Sequence, residues 1–92
     1  MRRMFNAGQY YERALRGELR MVVERSRPAP PQANQRPGTL SQTVAYWEYR
    51  TKVAIVHQYW HPGTGTVGGR GRPDPKMIFE GGVLYKLDPD LL

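Results

Sequence analysis

One stretch of the sequence constrains the fold more than any other: residues 26–39 contain no large apolar side chain and four of the eight prolines. Proline lacks a backbone N–H group and fixes φ, so this composition favours an extended, polyproline-like segment over a helix or a central strand. The hydrophobic core therefore has to come from the residues on either side. We predict an N-terminal amphipathic basic helix at residues 1–27, a proline-rich linker at 28–40 and a small antiparallel β domain at 41–92.

The chain is short and contains no cysteine: it has 92 residues in all. A chain of this length buries only a modest fraction of its surface, so we expect modest stability. Without cysteine, neither disulfides nor thiolate zinc sites can add to that stability. Its longest aliphatic run, Val53-Ala54-Ile55-Val56, is much too short to span a membrane.

The N-terminal residues do not have the pattern of a targeting sequence. Met1-Arg2-Arg3-Met4 is basic, but no apolar stretch follows it, which argues against a secretory signal. Residues 1–25 are rich in arginine, yet they also contain three glutamates, and organellar transit peptides are usually poor in acidic residues. We therefore expect a mature, cytoplasmic protein, or one inside a virion if its source is viral, with no membrane partner.

Basic charge is concentrated in the first part of the chain. The formal net charge is +6; residues 1–40 hold eight Arg and three Glu, whereas residues 41–92 hold six basic and five acidic residues. A basic arm joined to a nearly neutral sheet is typical of proteins that bind an acidic partner, most often nucleic acid. Eleven of the fourteen basic residues are Arg, and genome base composition can produce the same bias without any ligand.

The N-terminal segment has the pattern of a helix that begins at Asn6. Asn6 is a good N-cap, and Gln9 stands three residues later, where its side chain can complete a capping box. Phe5 and Tyr10 are spaced for a hydrophobic staple across this helix start. Because Pro28 disfavours helical geometry in the residue before it, we expect the helix to end near residues 25–27.

Helical spacing divides this segment into an apolar and a basic face. The apolar face consists of Ala7, Tyr11, Ala14, Leu15 and Val22, with Leu19 at its edge. The opposite face carries Arg13, Arg16 and Arg20. Two residues fit the helix poorly, because Gly17 destabilises a helix interior and Glu18 lies on the apolar face.

The remainder of the chain has the pattern of β-strands. Residues 43–50, 52–60, 77–79 and 83–87 are rich in β-branched and aromatic side chains. Glu80-Gly81-Gly82 is a good hairpin turn, whereas the turn around Arg50-Thr51-Lys52 lacks the Gly or Asn that short hairpins prefer. The predicted fold class is α+β, with a small antiparallel sheet of about four strands and a Gly-rich loop at residues 61–75.

The Gly-rich loop contains two motifs with functional meaning. Gly63-Thr-Gly65-Thr-Val-Gly68 matches G-x-G-x-x-G, but no helix can follow it to hold a pyrophosphate, so we predict no nucleotide cofactor. Arg70-Gly71-Arg72-Pro73 resembles the core of an AT-hook, whose Arg-Gly-Arg lies along the minor groove of A·T-rich DNA. This resemblance implies a DNA contact by both arginines. Gly69 and Asp74 depart from the AT-hook pattern at its two ends.

Aromatic and histidine side chains on the first two predicted strands allow further interpretations. Tyr46, Trp47, Tyr49, Tyr59 and Trp60 form either a stacking platform for bases or, more commonly in so small a protein, the core itself. His57 and His61 are separated on a strand by about 13 Å, too far to share a metal ion, so we predict no metal site. Either histidine could act as an acid or base in a metal-free ribonuclease site with Tyr59, Arg70 and Arg72.

Taken together, these patterns predict a small basic accessory protein that binds nucleic acid or a ribonucleoprotein through phosphate contacts and is not an enzyme. The predicted contacts are Arg13, Arg16 and Arg20 on the helix and Arg70, Arg72 and Lys76 around the loop. The alternative is a protein-binding module, either a structural subunit or a small inhibitor of viral or mobile-element origin. It would dock through the proline-rich linker and through Tyr11, Leu15, Leu19 and Val22. A ribonuclease toxin is the third hypothesis.

Overall fold

The computed structural model describes residues 1–68 and 71–87. Two short helices come first, and six strands follow, with one turn of 3-10 helix between the first two strands. The helices are α1 (Arg2–Ala7) and α2 (Tyr10–Leu15); the strands are β1 (Arg20–Pro28), β2 (Leu40–Glu48), β3 (Thr51–His61), β4 (Thr66–Val67), β5 (Asp74–Glu80) and β6 (Val83–Lys86). The α+β class is confirmed, but the single long helix and the count of about four strands are wrong.

All six strands belong to one antiparallel sheet. The strand order is β1-β2-β3-β5-β6, and β4 pairs with the end of β3 beyond the start of β5. Three of its pairings contain a bulge with one extra residue: Glu24 on β1 opposite β2, Val53 on β3 opposite β2, and Lys76 on β5 opposite β3. β1 and β6 are therefore edge strands of the described sheet, and so is β4, which pairs with β3 alone.

The predicted helix is interrupted at Gly8 and Gln9, between α1 and α2, and it ends before Gly17, one of the two residues that fitted it poorly. Gly17 adopts a φ of +84°, a left-handed conformation that glycine reaches without a steric penalty, and it follows Arg16, the C-cap of α2. The chain then turns so that Leu19 is buried, and β-branched Val22 and Val23 enter a strand instead of a helix. The apolar spacing was compatible with one long helix and also with a short helix followed by a strand. The left-handed conformation of Gly17 favours the second.

The predicted N-cap is also wrong. α1 begins at Arg2, so Asn6 lies inside this helix, and its side-chain oxygen accepts a hydrogen bond from Arg72 (3.1 Å). The contact between Phe5 and Tyr10 is nevertheless present, because the two rings stack with 5.7 Å between their centroids. The two rings therefore connect α1 to α2, and they do not form a hydrophobic staple at the start of a single helix.

The hydrophobic core lies between these helices and one face of the sheet. Phe5 is fully buried, with its ring centroid 6.0 Å from that of Tyr46 on β2. Ala54 on β3 and Ile78 on β5 lie opposite one another beside Tyr46 and are also fully buried. No helix among residues 1–68 and 71–87 has the length and apolar composition needed to cross a membrane.

Both predicted hairpins form, but the turn between β2 and β3 lies before Thr51 and not around Arg50-Thr51-Lys52. β5 and β6 are joined by Gly81 and Gly82, both at positive φ as a tight two-residue turn requires. β2 and β3 are joined by Tyr49 and Arg50, and Tyr49 takes a positive φ of 53° although it is not a glycine. Pairing along nearly the whole length of β2 and β3 holds this strained residue in place.

The proline-rich stretch connects two neighbouring strands of the sheet. The last pair between β1 and β2 is Pro28 with Leu40, and the backbone N–H of Ala29 then donates to the carbonyl of Thr39 (2.9 Å). The intervening residues include the single 3-10 turn, Pro31–Ala33. This stretch is therefore a long hairpin loop whose two ends are held together by hydrogen bonds.

Replacing Gly17 tests the break between α2 and β1. Gly17→Ala should lower the free energy of unfolding by about 1 kcal/mol, because a Cβ atom disfavours the left-handed conformation even where space is open around it. Gly17→Asn should lose less, since Asn tolerates this conformation. Denaturant unfolding of both variants measures the effect, and equal losses would contradict the backbone explanation.

Two tyrosines of the core should respond oppositely to removal of their hydroxyl groups. The Tyr10 hydroxyl donates to Glu80 Oε1 (2.7 Å), and burial together with Glu80 raises the pKa of Tyr10 to about 12. Tyr10→Phe should therefore lose about 1 kcal/mol below pH 10, and this loss should disappear as the pH rises towards 12. The buried Tyr46 hydroxyl has no hydrogen-bond partner among the described residues, so Tyr46→Phe should leave stability unchanged or raise it. Denaturant unfolding compares them, and a matching loss in Tyr46→Phe would contradict this assignment.

Candidate nucleic-acid interface

Two of the three arginines that were predicted to contact phosphates from a helix are neutralised within the protein. Arg13 forms a salt bridge with Glu48 on β2 (2.7 Å), and Arg16 forms one with Glu18 (2.6 Å). Arg20 lies on β1 and not on a helix, so these three side chains do not share one face. A continuous row of phosphate contacts along a basic helix is therefore absent.

Arg72 fastens the Gly-rich loop to the two helices. Its guanidinium group donates to Glu12 Oε2 (2.6 Å) and to Asn6, and it lies 5.5 Å from the centre of the Tyr11 ring. The hydrogen bond from Arg72 holds the pKa of the Glu12 carboxyl below its ordinary value, and the same bond raises the pKa of Arg72. Arg70, the other arginine of the AT-hook resemblance, lies outside the described residues.

The apolar residues of the alternative docking face are dispersed as well. Leu19 is 2% exposed and belongs to the core, whereas Leu15 on α2 is 62% exposed. Tyr11 packs at the margin of the core, and Val22 lies on β1. Tyr11 and Leu15 share α2, but Leu19 and Val22 lie beyond its end, so the four side chains do not form one helical surface that would insert into a groove of a partner.

Opposite the helices, the sheet presents a second face, which we call the helix-free face. Residues directly opposite one another in antiparallel strands point to the same side of a sheet. The strand register therefore assigns to this face Arg20, Val22, Arg25 and Arg27 of β1, Ser41, Thr43, Ala45 and Trp47 of β2, and Ile55, His57 and Tyr59 of β3. The face is thus bordered by arginines along the β1 edge.

Every acidic side chain among residues 1–68 and 71–87 already has a partner within the protein. Glu80 accepts from Tyr10, and the others form salt bridges with Arg or Lys: Glu12, Glu18, Glu24, Glu48 and Asp74. Within this part of the chain, Arg20, Arg25 and Arg27 form no salt bridge, and all three are exposed. The β1 edge therefore carries positive charge that the described part of the protein does not compensate.

Aromatic rings accompany this charge. The indole ring of Trp47 lies under two cations, with Arg20 at 5.8 Å and Lys52 at 5.4 Å from its centre. Tyr59 contacts the ring of His57 edge to face, with 4.9 Å between the centroids. Trp47 and Tyr59 are half-buried on the sheet surface, so each has part of its ring available to a ligand.

The two histidines have different surroundings. His61 is used structurally, because its Nε2–H donates to the carbonyl of Pro37 (3.1 Å) and its Nδ1 accepts from the backbone N–H of Thr64 (3.2 Å). His57 has its Nε2 2.8 Å from Ser41 Oγ. Burial, followed by the positive charge of Lys76, lowers the pKa of His57 below its ordinary value. His57 is therefore the histidine that is suited to act as a neutral base.

An open groove, which we call the β3 groove, lies beside β3 where neither β4 nor β5 pairs with it. Its volume is about 450 Å³. Side chains of Arg2, Arg72 and Lys76 line it together with His57, Gln58, Tyr59, Gly68 and Asp74. Asp74 accepts from both Arg2 (2.8 Å) and Lys76 (3.0 Å), so positive groups outnumber negative ones along its walls. Two of the predicted contacts, Arg72 and Lys76, thus meet at one site.

Metal-ligand chemistry is not apparent in the described part of the chain. Residues 1–68 and 71–87 contain no group of three or more His, Asp and Glu side chains placed to hold a metal ion. The charged side chains of the groove are three cations and the carboxylate of Asp74, and they lie beside one imidazole; the excess of cations suits phosphate oxygens.

Comparison of the chain with protein-family models, curated proteins and solved structures finds no match. The residues of the helix-free face and the β3 groove are therefore the basis on which a function is inferred.

Sequence reasoning missed Arg25, Arg27 and Arg2. The two β1 arginines were assigned to a helix, where they fell outside the basic face. The adjacent β-branched residues Val22 and Val23, which follow Gly17, were the available signal for a strand. No sequence signal links Arg2 to Asp74, because their salt bridge joins residues 72 positions apart.

Truncating Arg72 should destabilise the protein as well as change its charge. Arg72→Ala removes the bond to Glu12 and the contact with Tyr11, so we expect a loss of about 1 kcal/mol in the free energy of unfolding. Arg50→Ala, in the exposed β2–β3 turn, is the matched control and should lose much less. The salt bridge of Glu12 contributes fully to the free energy of unfolding above pH 4.5, and this contribution falls as Glu12 is protonated. The stabilities of the parent and Arg72→Ala should therefore converge in acid. Denaturant unfolding at two pH values measures this, and a loss equal to that of the control would contradict it.

Proposed function

We propose that this protein binds single-stranded nucleic acid through phosphate contacts on its helix-free face, as a small accessory protein. The observation that supports this most is the set of exposed arginines on β1, which have no acidic partner among the described residues. A polyanion supplies the compensating charge and releases its own counterions on binding, which makes this arrangement favourable.

The shape of the surface favours a single strand over a duplex. Sequence-independent binding of single strands combines a basic path for the backbone with aromatic rings on which bases stack. Arg25 and Arg27 supply the basic path, and Trp47 and Tyr59 supply rings on the same face. Both helices are six residues long and pack on the core, so neither is placed to enter a major groove.

A protein-binding function is the second candidate, and one observation favours it. β1 is an edge strand of the described sheet, and it exposes Met21 (43%) and Val23 (52%). An extended peptide could add to such an edge by backbone hydrogen bonds. The bulge next to Val23 and the proline at position 28 oppose this addition, because both features interrupt regular pairing.

Removing charge from β1 tests the nucleic-acid proposal. Arg25→Ala/Arg27→Ala should weaken binding to labelled mixed-sequence single-stranded DNA and RNA, measured by fluorescence anisotropy over a range of NaCl concentrations. Each lost phosphate contact should flatten the salt slope by about 0.7, so the double variant should lose about 1.4. The fold should persist, because both side chains are exposed.

The matched control is Arg3→Ala/Arg50→Ala, which removes the same charge from exposed positions outside the helix-free face. It should bind nearly like the parent protein. Equal weakening in the two double variants would show that net charge alone matters, and the proposed face would be wrong. Partner binding that is insensitive to salt would favour the protein-binding candidate instead.

A further inference from the structure

The β3 groove contains the imidazole of His57 in a defined orientation. Neutralising the charge of a phosphate would not require an oriented imidazole. His57 lies on β3, with Ser41 of β2 at hydrogen-bond distance from Nε2 and the edge contact to Tyr59 on its other side. When Nε2–H donates to the Ser41 hydroxyl, Nδ1 keeps its lone pair. In that tautomer Nδ1 has no hydrogen-bond partner among the described residues, and its lone pair can accept a proton from a ligand.

The surroundings of His57 keep its ring uncharged near neutral pH. Burial is the main reason for the lowered pKa of His57, and the positive charge of Lys76 on β5 is the next. Asp74 on β5 acts in the opposite direction, and Arg27 on β1 lowers the pKa further. Ser41 on β2 carries no charge. An uncharged imidazole beside fixed cations is the protonation state that a general base needs.

The same groove contains cations that fit the other requirements of phosphodiester cleavage. Arg2 and Lys76 hold a shared carboxylate, Asp74, so their nitrogens converge on one place in the groove. Arg72 lines the wall and is fixed by Glu12. Such preorganised donors stabilise negative charge that develops on phosphate oxygens during reaction.

We propose that the β3 groove cleaves RNA without a metal ion, with His57 as the general base; this inference rests on the proposed binding of nucleic acid. His57 Nδ1 takes the proton of a ribose 2′-hydroxyl, and the 2′-oxygen attacks the adjacent phosphorus. The bond from phosphorus to the 5′-oxygen breaks, and Lys76 donates a proton to that leaving oxygen. The products are a 2′,3′-cyclic phosphate and a 5′-hydroxyl end. Water then returns Lys76 and His57 to their starting states, so no oxidant, reductant or co-reactant is consumed.

The test compares an RNA oligonucleotide with its 2′-O-methyl analogue, which has no 2′-hydroxyl proton to lose. In EDTA, the parent protein should cleave the RNA to 2′,3′-cyclic phosphate ends and should bind the analogue without cleaving it. His57→Gln should slow cleavage by about 10²- to 10³-fold and leave binding of the analogue unchanged. The cleavage rate of the parent should rise with pH and level off above the pKa of His57, which lies below 6.5, because the deprotonated imidazole is the active form.

The matched control is His61→Gln, since His61 is engaged with Pro37 and Thr64 and does not line the groove. It should cleave within a few-fold of the parent, provided circular dichroism shows the native fold. Intact RNA with a bound analogue would overturn the cleavage proposal and leave the binding proposal standing. Failure to bind the analogue would overturn the binding proposal and, with it, the cleavage proposal. Cleavage that survives in His57→Gln, or that EDTA abolishes, would also overturn the assignment.

Discussion

The packing of Phe5 between Tyr10 and Tyr46 is the contact on which the rest of the structure depends. The ring of Phe5 is fully buried; it stacks on Tyr10 of α2 and meets Tyr46 of β2. Two helices of six residues have little stability alone, because helix nucleation is unfavourable and short helices recover few hydrogen bonds. Their order therefore comes from burying these rings against the sheet. One face of the sheet is covered as a result, and the other presents its side chains outward.

The hairpins could be predicted because their information is local. Gly81-Gly82 determines a tight turn whatever lies around it, and β2 and β3 are long enough to pair across the less favourable Tyr49 turn. The N-terminal segment was different, because its apolar spacing fitted a helix as well as a short helix followed by a strand. Gly17 can end the helix, but the residues after it form a strand only because β2 is there to pair with β1. That information is not contained in the segment itself.

The candidate site was predictable only in part, for an electrostatic reason. A sequence shows which side chains are charged, whereas their net effect depends on partners that are distant along the chain. Arg13 meets Glu48 from 35 residues away, and Arg72 meets Glu12 from 60. Arg72 and Lys76 were identified and do line one groove, but Arg2 and His57 join them only through the fold. The charge on β1 could not be found while that strand was assigned to a helix.

The distribution of acids explains why this charge is available at all. The carboxylates lie mainly on the helical side, in the β2–β3 region and at the start of β5, where each holds a cation in place: Glu12 fixes Arg72, Glu48 fixes Arg13 and Asp74 fixes Arg2. In these salt bridges, the acidic groups connect the elements of the fold to one another. The arginines of β1 pair with no acid in the described part of the chain, although β1 includes Glu24, because the carboxylate of Glu24 accepts from Lys52 instead. The salt bridges that assemble the fold thus leave the arginines of β1 uncompensated on the face that the helices do not cover, while Arg3, Arg36, Arg50 and Lys86 carry further unpaired charge elsewhere in the described residues.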